Sequence, residues 1–94
     1  MDPLEILRQH RDELRDRFYV KEIGVFGSYV RGEAGARSDV DVLVEFEPGQ
    51  ETFNNYFDLQ FFLEELFGCK VDLVLRETIK PRLREWILRK AQYV

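Results

Sequence analysis

Residues 20–46 read Val-Lys-Glu-Ile-Gly-Val-Phe (20–26), Gly-Ser-Tyr-Val-Arg-Gly-Glu-Ala-Gly-Ala-Arg-Ser-Asp (27–39) and Val-Asp-Val-Leu-Val-Glu-Phe (40–46). The outer pieces are rich in β-branched and aromatic residues and read as strands, the second ended by Pro48-Gly49. Asp is depleted in strands, yet Asp39 and Asp41 sit at the mouth of the more hydrophobic one. Side chains at i and i+2 share a strand face, so the two carboxylates point one way and Val40 and Val42 the other. Like charges this close repel unless something positive lies between them. A hard divalent cation with oxygen ligands, such as Mg²⁺, suits the pair. A bare Asp-x-Asp is equally the solvated start of a strand, so the residues around it have to decide.

Asp72 lies inside a third apolar strand, residues 70–75, within Val71-Asp72-Leu73-Val74. If that strand runs beside 40–46, a third carboxylate joins the first two; otherwise Asp72 marks an edge or strand end. A lone buried carboxylate is costly, and that favours the joint reading. Gly27-Ser28 follows the first strand directly. Gly27 lets backbone turn sharply or approach a ligand, and Ser28 can cap a short helix whose N–H groups and dipole favour phosphate. An ordinary capped turn looks the same. Arg31, one helical turn on, suits phosphate or a salt bridge. Gly32 ends the short helix, and Ser38 orients the loop before Asp39.

Asp2 as N-cap and Pro3 at the first position begin a helix over 3–18, with Leu4, Leu7, Leu14 and Phe18 at helical spacing. A second long helix covers 52–67, stopped by Gly68, and a last one 78–92, with Pro81 in its first turn. Trp86 with Ile87, and Tyr93 with Val94, are expected to pack that helix on the core. The order α-β-(short α)-β-α-β-α describes one domain over residues 1–94, of α/β (α+β) class, with a small sheet flanked by helices.

The 94 residues, 45% hydrophobic and 34% charged, exclude a two-domain enzyme. A domain of this size buries roughly 60–65% of its unfolded surface, so partner contacts matter to it. The net charge of -4 argues against direct nucleic-acid binding. Cys69 is the only cysteine, so neither an internal disulfide nor a cysteine zinc site can form. No signal peptide or membrane span is evident, and the cytoplasm is the expected location. His10, the only histidine, reads as a surface residue, and Ser28 has no base arranged for a hydrolase triad.

Charge is segregated. Residues 33–65 carry nine acids and one base, whereas 76–90 carry six bases and two acids. The basic stretch reads as a solvated helix face or as a surface for an acidic partner. In 52–67, Phe53, Tyr56, Phe57, Leu59, Phe61, Phe62, Leu63, Leu66 and Phe67 spread over roughly 260° of the helix. One buried face needs little more than about 100°. Either the helix is deeply buried, or it exposes an apolar patch for a partner or for self-association, forming a homo- or hetero-oligomer. The patch is the expectation here, with Phe61 and Phe62 in it.

Gly27-Ser28-x-x-Arg31-Gly32, then Ser38-Asp39-x-Asp41, then Asp72 in a later strand, together resemble the nucleotidyltransferase superfamily with a DNA-polymerase-β-like fold. The small size is similar to that of the minimal nucleotidyltransferases, antitoxin partners of HEPN-domain toxins. The resemblance covers nearly the whole chain, and the combined motif is far more specific than its parts. It implies a mixed sheet flanked by helices. It further implies that Gly27 and Ser28 hold the β- and γ-phosphates of a nucleoside triphosphate, and that Asp39 and Asp41 ligate two Mg²⁺ ions. Asp72 would complete the metal site and act as base, and Arg31 would touch phosphate or brace the site. ATP would be the substrate and a tyrosine of a HEPN ribonuclease toxin the acceptor of AMP. Nucleotidyl transfer needs in-line attack on the α-phosphorus, and three carboxylates match two dications carrying a triphosphate.

Two rival functions follow from the same residues. A non-catalytic antitoxin would neutralise its toxin by binding alone, which the wide apolar helix favours. Transfer to RNA ends or to a small molecule is the other, and larger relatives do this with domains this chain lacks.

Overall fold

The computed structural model describes residues 2–26 and 40–94, without the side chains of residues 83, 84, 86, 88 and 90. Helices α1 (Pro3–Gln9) and α2 (Arg11–Phe18) lead into strands β1 (Val20–Phe26) and β2 (Val40–Phe46). Helix α3 (Phe53–Phe67), strand β3 (Val71–Leu75), a 3-10 turn (Arg76–Thr78), helix α4 (Pro81–Lys90) and strand β4 (Gln92–Tyr93) follow. The sheet order is β3-β2-β1-β4, with β2 and β3 parallel and both β1 pairings antiparallel. This is the expected mixed sheet flanked by helices, with one more strand than the sequence suggested.

The N-terminal helix is two helices. Asp2 caps α1, accepting from Leu4 N at 3.1 Å. At His10 the backbone N–H turns to Leu7 O instead of Ile6 O, the acceptor an unbroken α-helix would give it. The imidazole takes that place: its Nδ1–H donates to Ile6 O at 2.9 Å. A side chain thus substitutes for one rung and lets the chain bend. His10 is half-buried, its ring edge-on to Phe62 at 6.0 Å, rather than a free surface residue.

Strand β2 is nearly continuous in apolar residues because it is central and covered on both faces. Its Val40, Val42, Val44 and Phe46 join Ile23 and Val25 of β1 and Val71 and Leu73 of β3 in one core. Leu7, Leu14 and Phe18 pack on it from α1 and α2, and Leu59, Leu63 and Phe67 from α3. The other sheet face carries Asp41, Leu43 and Glu45 of β2. Glu22 and Glu45 are register partners there, and Arg76 spans both at 3.6 and 3.0 Å. Arg76 therefore clamps like charges on the sheet instead of belonging to a solvated basic helix.

Thr52 caps α3 by accepting from Asn55 N, and Gly68 ends it with φ 69°. Helix α3 then covers the outer edge of β3 with side chains. Glu64 accepts from Val71 N, while Gln60 Nε2 and the Tyr56 hydroxyl donate to Val71 O and Leu73 O. Thr78 Oγ1 donates to Leu75 O. Phe62 is half-buried, its ring tilted against Phe18 at 4.7 Å, so the expected patch excludes it.

The last helix is shorter than 78–92 because residues 92–93 are drawn into the sheet beside β1. Gly24 permits this: a Cβ there would lie 2.7 Å from Gln92 O. Gly24→Ala should therefore destabilise by about 1–3 kcal/mol. Urea unfolding checks this, with hydrogen exchange at residues 92–94 rising first. Val94 N donates to Ile23 O, and Val94 packs on the core. The packing expected of Trp86 falls outside the described side chains. No helix among the described residues is long and apolar enough to cross a membrane.

Candidate active site

The parallel register sets Asp41 of β2 directly beside Asp72 of β3. Register neighbours on adjacent strands share a face, with strands about 4.8 Å apart. Asp41 is half-buried and Asp72 exposed, at the start of their strands. Phe26, the last residue of β1, is the register partner of Asp41 on the opposite side. Phe26 and Val40 thus both lie at the end of the sheet that carries the two carboxylates. Gly27, Ser28, Arg31, Gly32, Ser38 and Asp39, with the expected short helix, lie outside the described residues. Of the seven residues expected at the site, the structure brings Asp41 and Asp72 together. Two hard oxygen donors side by side fit Mg²⁺.

A neighbour that the sequence did not single out is Tyr56. It reaches from α3 over β3, its hydroxyl donating to Leu73 O. Burial, and secondarily the charge of Asp72, hold its phenol above the ordinary tyrosine range. Nothing in the sequence separates Tyr56 from the other aromatic residues of that helix; only the α3–β3 packing does. Between the first half of α3 and the end of β3 runs a groove of about 490 Å³, walled by Phe53, Tyr56, Phe57, Leu73 and Leu75.

Because the folded state holds the Tyr56 proton more tightly than the unfolded chain, its contribution is complete below pH about 10 and lost as pH rises through the raised value. Tyr93, raised chiefly by burial, acts in the same direction. Tyr56→Phe should cost about 1 kcal/mol at neutral pH and flatten the alkaline fall in stability. Melting temperature followed from pH 8 to pH 12 reads both effects.

Paired acidic residues at the head of two parallel strands suit phosphoryl- and nucleotidyl-transfer chemistry. The comparisons are specific on this point. The family model described as "Nucleotidyltransferase domain" matches residues 7–94, and the chain belongs to that family. Protein adenylyltransferase MntA of Thermococcus cleftensis is 49% identical over 89 residues, 95% of this chain and 89% of that protein. A solved structure assigned as a minimal nucleotidyltransferase superposes with TM-score 0.79 at 44% identity, covering 98% of this chain and 95% of that one. A toxin–antitoxin structure with AMP-PNP gives TM-score 0.73 at 22% identity, over 99% of this chain and 72% of that one, and shows the shared fold. The fold is the polymerase-β-like one that the sequence motif implied.

Proposed function

We propose that the chain is an antitoxin that transfers AMP from ATP to a tyrosine of a HEPN-domain ribonuclease toxin. The observation that carries this reading is the side-by-side register of Asp41 and Asp72 in a chain of the nucleotidyltransferase family. The MntA relative, named a protein adenylyltransferase, supports the acceptor being a protein.

Asp39, Asp41 and Asp72 would hold two Mg²⁺ ions, which when bound neutralise the triphosphate and the charge that develops on it. Gly27 and Ser28 would seat the β- and γ-phosphates, with Arg31 against phosphate and Ser38 positioning Asp39. The tyrosine oxygen attacks the α-phosphorus in line. The bond from that phosphorus to the bridging oxygen breaks, and pyrophosphate leaves. Asp72 takes the phenolic proton; it is exposed at the sheet edge, where an incoming hydroxyl can reach it.

The test is ATP labelled on the α-phosphate, Mg²⁺ and a purified HEPN-domain toxin, with the parent protein and an Asp39→Asn, Asp41→Asn variant. Label on the toxin with the parent, and none with the variant, is the expected result. An unlabelled toxin that is still silenced by both proteins overturns the transfer and establishes neutralisation by binding alone. Label on RNA or a small molecule in place of the toxin changes the acceptor class.

A further inference from the structure

Helix α3 exposes a row of phenylalanines that the fold does not use. Phe53 is 81% exposed, Phe57 46% and Phe61 66%, whereas Leu59 and Leu63 behind them are wholly buried. Spaced four residues apart, they form one stripe about 12 Å long. This explains the wide apolar arc seen in the sequence: two separate stripes, one turned to the core and one to solvent. Exposed aromatic rows of this kind mark interaction surfaces.

The flanks of the stripe carry acid. Asp58 and Glu65 lie on the outer side and Glu64 on the side of β3, and no Lys or Arg occurs between residues 38 and 69. Arg17 of α2 borders the outer flank, where it is held by Glu13 and lies over the Phe62 ring at 5.6 Å. A two-fold contact between copies of this chain through α3 would set these acids against their own equivalents. A partner with apolar side chains rimmed by Lys and Arg meets both features.

The first half of the stripe also borders a groove. Phe53 and Phe57 wall the groove beside the end of β3. Phe57 touches Tyr56 edge-on at 5.3 Å.

We infer that Phe53, Phe57 and Phe61 form the docking surface for the acceptor protein, which presents to them an apolar helix face or ridge rimmed by basic residues. That the docked body is the acceptor rests on the function proposed above. Selectivity comes from the stripe and its acidic flanks.

The test measures binding of a purified HEPN-domain toxin by titration calorimetry to the parent, to Phe53→Ser, Phe61→Ser and to Asp58→Lys, Glu65→Lys. Melting temperature and ATP affinity serve as controls, expected unchanged because the replaced side chains are exposed. The serine variant should bind about tenfold or more weakly. The lysine variant should also bind weakly and lose the salt dependence that the parent shows between about 0.05 and 0.5 M salt. Serine-variant affinity within about twofold of the parent overturns the inference. So does a parent dimer that the serine variant dissolves, or a parent that forms no complex with the toxin. A complex that the serine variant loses but that never carries label overturns the transfer reaction and leaves the docking surface standing. Unchanged affinity with full labelling does the reverse.

Discussion

An Asp72→Asn variant should lose nucleotidyl transfer by about 10³-fold while its unfolding free energy stays within about 0.5 kcal/mol of the parent. The two halves of that result come from one observation. Asp72 is exposed, so its side chain contributes little to the fold, yet it stands in register with Asp41. If Asp72 merely ended an edge strand, neither rate nor stability would move. Single-turnover labelling of the acceptor gives the rate, and urea unfolding the stability. An independent reporter sits nearby. The charge of Asp72 helps hold the Tyr56 phenol high, so the amide variant should lower that pKa while burial keeps it above the ordinary value. Spectrophotometric titration of tyrosinate absorbance reads this without any substrate.

Leu63→Ala has the largest expected effect on stability. Leu63 is wholly buried and faces the sheet among Leu59, Phe67 and the β2–β3 valines. Truncation of such a leucine removes transfer energy and leaves a cavity, costing about 2–5 kcal/mol. Small domains hold about 5–15 kcal/mol in all, so the variant gives up a large share. The melting temperature should fall by about 10 °C or more. In urea the midpoint should drop with the slope unchanged, because the surface exposed on unfolding is nearly the same. Phe61→Ser, two residues earlier on the same helix, should leave both quantities alone. The contrast separates the two stripes of α3 experimentally.

The strands at 20–26 and 40–46 match the sequence reading residue for residue, and helix α3 begins and ends where Thr52 and Gly68 place it. These elements carry their own local signals: apolar runs, a capping side chain, a glycine in the left-handed region. Strand β4 carries none. Two residues pair with β1 because Gly24 leaves room for them, and that compatibility links positions about seventy residues apart. The break at His10 was equally hidden, since it depends on one imidazole finding the carbonyl of Ile6. Within the candidate site, the motif Asp39-x-Asp41 carries its own local signal, though Asp39 lies outside the described residues. The partnership of Asp41 with Asp72 was expected only on the condition that β3 lie beside β2, because no local pattern states strand order; the parallel register meets that condition. The phosphate-seating role of Gly27 and Ser28 rests on the resemblance.

The outer edge of β3 has a consequence of its own. A bare edge strand is a template: another chain can add to it, and the additions can continue without limit. Here Val71 N, Val71 O, Leu73 O and Leu75 O are already occupied by Glu64, Gln60, Tyr56 and Thr78. Main-chain zippering from that side is opposed, both as runaway fibre growth and as capture of an extended peptide. Whatever recognises this flank has to read side chains, and side chains differ from protein to protein where backbone does not. Closing the edge therefore turns a surface that would accept almost any strand into one that can discriminate.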